Sequence, residues 1–165
     1  MTNPTAVTVT VHKICDAIET TLSTATGLAV SQTFDELTEG IHDRAVLQVY
    51  PESCSEVDAG TRAGAGTRND RLTAQRGVAI TEFVFHADVY AQQRTSIGED
   101  MAALVPLIDA ITARLEAQQG SPLFGLTVGG IAPIKAFKWS WRRVVFEYAE
   151  AQHMGVRFVI TVRIF

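Results

Sequence analysis

The most regular alternation of apolar and polar positions in the chain lies between residues 76 and 117. Its first part alternates residue by residue, which is typical of a β-strand with one buried face. The core-facing positions are predicted to be Thr81, Phe83, Phe85, Ala87 and Val89. The opposite, polar face carries Glu82, His86, Asp88 and Tyr90, with Val84 between them. Such a strand predicts a sheet with one covered face and one face open to solvent.

An amphipathic helix follows this strand after a short turn. Ser96 and Glu99 form a capping-box pattern that predicts where the helix begins. Apolar residues then recur three and four positions apart, at Met101, Leu104, Ile108, Ile111 and Leu115. Because this stripe continues through Pro106, we expect one helix with a kink at the proline rather than two helices.

Three shorter segments precede this unit. Helical spacing of apolar residues predicts a first helix from about residue 8 to residue 25, capped by Thr8 or Thr10. Leu28–Gln32 is expected to be a short strand. Ala45–Pro51 is expected to be another, ended by its proline.

Two strands are predicted at the C-terminal end of the sequence. The apolar positions of the first strand change face at Arg142–Arg143, which suggests a β-bulge or a change of partner. The last strand, from Val156 to Ile164, turns Arg157 and Arg163 outward. Met154–Gly155 is expected to be the turn of the antiparallel hairpin that joins them.

Together these segments predict a single α+β domain over residues 1–165, with a mainly antiparallel four-stranded sheet and two helices packed on one face. Residues 52–75 are the exception, because they are almost without apolar side chains and contain AGTR at Ala59–Arg62 and again at Ala65–Arg68. A long segment of this composition predicts a flexible arm. Either it is a solvated loop without a role, or it becomes ordered against a partner.

The composition of the chain limits the classes of function. Its 165 residues carry a formal net charge of -4, with 47% hydrophobic and 19% charged residues. These values are typical of a globular protein and predict no general attraction to nucleic acid or to an anionic membrane. No apolar run is long enough to cross a bilayer. With two cysteines and no recognisable secretion signal, the chain is expected to fold in a cytoplasm.

The sequence contains no familiar catalytic motif. It has no GxxxxGK[ST] phosphate loop, no GxSxG elbow and no HExxH pair. His86 and Asp88 share a strand face and could offer an imidazole and a carboxylate to a metal ion, but no third ligand is indicated. We therefore predict no catalytic residue, no metal site and no cofactor. A small metal-dependent or ligand-binding enzyme that uses His86 and Asp88 is the alternative.

The order of these segments resembles a known family. A first helix, a strand ending in VYP, a loop-rich excursion, and the strand EFVFHADVYAQQR leading into the helix DMAALVPLIDAITARL resemble the tail-terminator (tail-completion) proteins of long-tailed bacteriophages. The closing hairpin agrees with this pattern. The resemblance covers most of the chain, and residues 52–75 fit it least.

The resemblance implies a structural virion protein, assembled in the cytoplasm of a host bacterium, with no catalytic residues. Copies would form a ring, typically a hexamer, at the head-proximal end of the tail tube, where the ring ends tube polymerisation. The implied partners are further copies of the chain, the tail tube protein and a head-closure or neck protein. DNA would pass through the ring without specific nucleic-acid binding, and no membrane would be involved.

The residues expected to bind partners are charged and lie either in the predicted arm or on the polar face: Arg62, Arg68, Arg71, Arg76, Glu82, His86, Asp88, Arg157 and Arg163. A ring needs two different complementary patches on each subunit. Within the same class, another neck protein, such as a head-closure or minor capsid component, is the main alternative. Besides this and the enzyme alternative based on His86 and Asp88, the third alternative is an α+β oligomer without an identifiable role.

Overall fold

The computed structural model describes residues 9–34, 45–57, 80–93, 97–148 and 150–164. The helices and strands in these ranges are α1 (Val11–Ser23), β1 (Val30–Thr33), β2 (Val46–Val57), β3 (Ile80–Gln93), α2 (Ile97–Glu116), β4 (Ile134–Tyr148) and β5 (Ala151–Ile164). A short 3-10 turn, Leu123–Gly125, lies between α2 and β4. The predicted α+β class is confirmed.

In the part of the chain that the structure describes, the sheet has five strands in the order β1-β2-β3-β5-β4, so the predicted four-stranded sheet was one strand short. β1 runs parallel to β2, and the other three pairs are antiparallel. The sheet is therefore mixed. The parallel pairing could not be predicted because β1 has only four residues, too few for a clear alternation of apolar and polar positions.

Strand β2 does not end at Pro51, contrary to the prediction. It continues to Val57 and pairs with β3 on both sides of a register shift between Pro51 and Ser53. β1 pairs with β2 only as far as Val49, so the missing N–H of Pro51 breaks no bond to β1. Residues 52–57 thus belong to a strand, and the predicted arm at 52–75 starts too early. Residues 58–79 lie outside the described residues.

Both helices pack on one face of the sheet, as predicted. Thr10 caps α1 by accepting a hydrogen bond from the amide of Lys13. The apolar stripe of α2 faces the same core. α2 continues as one helix through Pro106, whose side chain is exposed, so the prediction of one helix and not two is confirmed. Ser96 lies outside the described residues. The largest fully buried side chains of this core include Ile14, Ile18, Leu22, Leu47, Phe85, Leu104, Ile111, Leu115, Phe158 and Ile160.

The hairpin of β4 and β5 turns between Tyr148 and Ala151, and not at Met154–Gly155 as predicted. Tyr148 pairs with Ala151, and Glu150 has a φ of 65°. The predicted bulge at Arg142–Arg143 was also wrong, because pairing with β5 stays in register there and shifts only between Ile134 and Ala136. The apolar residues change face where the core ends, since Ile134 is buried and Phe137 and Trp139 pack partly against the core, whereas Trp141 and Val145 are exposed.

Candidate functional site

The sheet face opposite the helices, called the polar face below, brings together the predicted site residues of β3 and β5. Glu82 pairs with Arg163, and Asp88 with Arg157, in the register of β3 with β5. His86 lies between these two pairs on β3. Arg62, Arg68, Arg71 and Arg76 lie outside the described residues. The expectation of a solvent-exposed face is wrong at its centre, since His86 and Asp88 are buried.

The centre of the polar face is a hydrogen-bonded triad of Tyr50, Asp88 and Arg157. Arg157 donates from Nε to Asp88 Oδ1 at 2.8 Å and from Nη2 to Asp88 Oδ2 at 2.9 Å. Tyr50 Oη donates to Asp88 Oδ2 at 2.6 Å and accepts from Arg157 Nη2 at 2.9 Å. Each side chain of the triad therefore contacts both others, and three strands are linked through it.

The triad holds its charges in fixed states. Burial, and next the hydrogen bond to Asp88, raise the pKa of the Tyr50 phenol. The hydrogen bond to Asp88 is the main cause that raises the pKa of Arg157. Tyr50 therefore stays neutral and Arg157 stays charged at physiological pH. This arrangement suits a structural clamp better than proton transfer, because general acid–base catalysis needs a pKa near the working pH.

His86 lies beside the triad in a less complete set of contacts. Its ring meets that of Tyr50 edge to face, with centroids 5.6 Å apart. Its Nδ1 lies 3.5 Å from Glu52 Oε2, within ion-pair distance. The same nitrogen has no hydrogen-bond partner among the described residues. Burial, followed by the charge of Arg157, lowers the pKa of His86. His86 is thus neutral at neutral pH and takes up a proton only with difficulty.

The second ion pair of the polar face is more exposed than the triad. Arg163 donates from Nε to Glu82 Oε2 at 2.9 Å, with the Arg163 side chain 44% exposed. A pair in this environment contributes little to stability because water screens both charges. It still neutralises two charges on this face.

An aromatic group flanks the triad on the other side. Phe146 on β4 packs over Gly155, where a Cβ atom would lie 2.5 Å from the carbonyl oxygen of Val89. The Arg157 guanidinium carbon lies 5.8 Å from the centre of the Phe146 ring. Tyr90 lies 5.9 Å from the same ring, between centroids. Gly155 is therefore required by close packing and not by a turn.

Strand β4, the last strand of the sheet, has a like-charge neighbour on one face and exposed apolar side chains on the other. Cross-strand pairing puts Arg142 opposite Arg157, so two like charges are neighbours there. On the other face of β4, Trp141 and Val145 are 47% and 46% exposed. Trp139, nearer the start of the strand, is partly buried against the core.

Sequence reasoning missed Tyr50, Glu52 and Phe146 as parts of this face. Tyr50 had been assigned only to the end of a strand, before a proline. Its partner Asp88 lies 38 residues further along the chain, and the pairing register that joins them has no sequence signature. An alternation from Val46 through Gln48 to Tyr50 would have placed the tyrosine on a face, but not beside Asp88.

The arrangement offers little to a metal ion. Both carboxylate oxygens of Asp88 already accept hydrogen bonds from Arg157. In the part of the chain that the structure describes, no group of three or more histidine, cysteine, aspartate or glutamate side chains is gathered. The alternative based on His86 and Asp88 thus has two candidate ligands, one of which is already held by an arginine.

No protein-family model matches this chain, and no curated protein matches it either. Neither α1 nor α2, the helices that the structure describes, has the length and apolar content needed to cross a membrane.

Proposed function

We propose that this protein is a structural component of a bacteriophage virion that forms a ring at the head-proximal end of the tail tube. The ring, hexameric in this proposal, ends tube polymerisation and provides the surface to which the head attaches. The protein assembles in the cytoplasm of the host and acts by binding further copies of itself, the tail tube protein and a neck protein. It performs no catalysis and uses no cofactor.

The observation that carries the proposal is the pairing of opposite charges between β3 and β5 on the polar face. The Asp88–Arg157 and Glu82–Arg163 pairs use their charges within the sheet, and Tyr50 fixes the first pair from a third strand. A face with this chemistry suits the wall of a channel through which DNA passes. Free arginines would bind phosphates and slow passage, whereas paired arginines attract phosphates much less.

The two ends of the sheet also support a ring. They are chemically different, with the long β4 at one end and the short β1 and the end of β2 at the other. A closed ring of identical subunits needs such a pair of unlike surfaces, because each subunit meets its neighbours through two different patches.

A polymerisation assay tests the proposal. Purified protein is added to tail tube protein during tube assembly, and tube lengths are measured by electron microscopy. We expect tubes to stop growing and to carry the protein at one end. Unchanged lengths and bare ends would contradict the proposal. Binding to heads in place of tubes would indicate the alternative neck protein, a head-closure or minor capsid component.

The hypothesis that an arm becomes ordered on docking now concerns residues 58–75. Deleting residues 52–75 is no longer a clean test, because residues 52–57 form part of β2. Deleting residues 58–75 leaves every described strand in place. We expect this variant to fold and to lose tail capping. A deletion variant that still caps tubes would overturn the arm hypothesis.

A further inference from the structure

We propose that neighbouring subunits join through their sheets, with the second half of β4 of one copy pairing antiparallel with Tyr50–Val57 of the next. This inference rests on the proposed ring and names the surfaces that form it. It is carried by the open edges of the sheet, by the direction of the strands and by their charge.

Two strand edges lack a partner among the described residues. β4 is the last strand at one end of the sheet and is 15 residues long. At the other end, β1 covers β2 only along Val46–Val49, so within the described ranges residues 50–57 of β2 have a strand on one side only. Open edges of this length readily pair with another chain unless something covers them.

The strand directions fit such a pairing. β2, β3, β5 and β4 alternate in direction, so β4 runs opposite to β2 within one copy. A rotation about an axis parallel to the strands preserves these directions. In a ring generated by that rotation, β4 therefore meets β2 of the next copy as an antiparallel partner, and all the polar faces lie on the same side.

The position of β1 selects which half of β4 can pair. A strand that pairs with residues 50–57 of β2 lies on the same side of β2 as β1. β1 itself pairs with β2 as far as the Thr33–Val49 pair. The incoming β4 must therefore end there, with its hairpin turn next to β1. Residues 142–148 of β4 then lie beside residues 51–57 of β2, with Tyr148 opposite Pro51.

The chemistry of the two segments is complementary in this register. Cys54 pairs with Phe83 and Val145 with the buried Met154, so both lie on the helix side of the sheet, where they come opposite each other. Position 56, a glutamate, then comes opposite position 143, an arginine. Pairing also covers the exposed Val145. Residue types that face each other in this way across two strands stabilise a sheet.

A disulfide test uses the native, exposed Cys54. Opposed residues of an antiparallel pair have Cα atoms about 4.5–5.5 Å apart, which is within disulfide range. The variant Val145→Cys, oxidised with diamide, should form reducible covalent oligomers up to the size of the ring. The matched control is Val105→Cys on α2, since Val105 is 45% exposed and lies away from the edge. A second control combines Val145→Cys with Cys54→Ser.

We expect most chains of Val145→Cys to be linked and both controls to stay at background. Native mass spectrometry of the same samples separates the possible failures. Rings that form without this disulfide overturn the interface and leave the proposed function intact. Chains that remain monomeric, alone and with tail tubes, overturn both. Equal linking in the Val105→Cys control also overturns the interface, because the linkage would then be random.

Discussion

Asp88 and Arg157 face each other across β3 and β5 and are joined by two hydrogen bonds of 2.8 and 2.9 Å. The carboxylate is 4% exposed and the guanidinium side chain 23% exposed, so the pair is largely removed from water. They are 69 residues apart in the chain, and the pair ties the middle of the sheet to its last strand. This pair is the centre of the polar face on which the proposed channel wall depends.

Replacing Asp88 by asparagine should strongly destabilise the fold. The variant leaves Arg157 partly buried without a counter-charge, and breaking a buried pair in this way costs roughly 3 kcal/mol. The free energy of unfolding, measured by urea titration, gives the result. The control is Glu82→Gln, because the Glu82–Arg163 pair is more exposed and should change stability by less than about 1 kcal/mol. Equal losses in the two variants would contradict this account.

Replacing Tyr50 by phenylalanine should have a smaller effect than the loss of Asp88. The change removes a hydroxyl that donates to Asp88 and accepts from Arg157, and we expect a loss of about 1–2 kcal/mol. In the Asp88→Asn background the same change should cost less, because the triad is already broken. A double-mutant cycle measures this coupling. Strictly additive losses would mean that the three side chains do not act together.

The stability of the protein should decrease as the pH falls below about 6.5, because His86 is held neutral in the fold. In the unfolded chain the pKa of this histidine is 6.5, and in the fold it is lower because of burial and then Arg157. Its contribution is complete above about pH 6.5. As the pH falls below that value, the unfolded chain binds a proton that the folded chain does not take up, and stability is lost.

Melting temperatures between pH 7 and pH 5 test this dependence. The variant His86→Gln should lose less stability over that range than the wild type. His12→Gln is the control, since His12 is an exposed histidine of α1. If His86→Gln and the wild type show the same slope, His86 does not cause the acid loss.

Replacing Gly155 by alanine should destabilise the sheet by about 1–3 kcal/mol. The added methyl group meets the Phe146 ring and the backbone carbonyl of Val89. Adding Phe146→Ala should not restore stability, because the carbonyl contact remains. Gly98→Ala, in the first turn of α2, is the control with nothing within 4 Å of the new Cβ. Gly98→Ala should leave the free energy of unfolding unchanged or raise it by up to about 1 kcal/mol.

The parts of the fold that periodicity determines were predictable from the sequence. The alternation around Phe85 placed β3 correctly, and the stripe through Leu104 and Ile111 placed α2. The residues that β3 and β5 contribute to the polar face followed from the same alternation. Each of these signals lies within one segment, where a residue's neighbours in sequence decide which side is buried.

The parts that depend on contacts between segments were not predictable. The sequence predicts a turn at Gly155, but a glycine is needed there because Phe146 packs on it from the neighbouring strand. The sequence also predicts that a strand ends at Pro51, but the strand continues because β1 stops before the proline and needs no hydrogen bond from it. The triad depends on the register of three strands, and Tyr50 joins it only through that register. A propensity scale contains no information about register.

The central claim, a ring on the tail tube, is tested most directly by native mass spectrometry of the protein alone and after mixing with tail tubes, with electron microscopy of the same samples. The account predicts closed rings, free or seated on one end of each tube, and the mass gives the number of subunits. A protein that stays monomeric and does not bind tubes would contradict it.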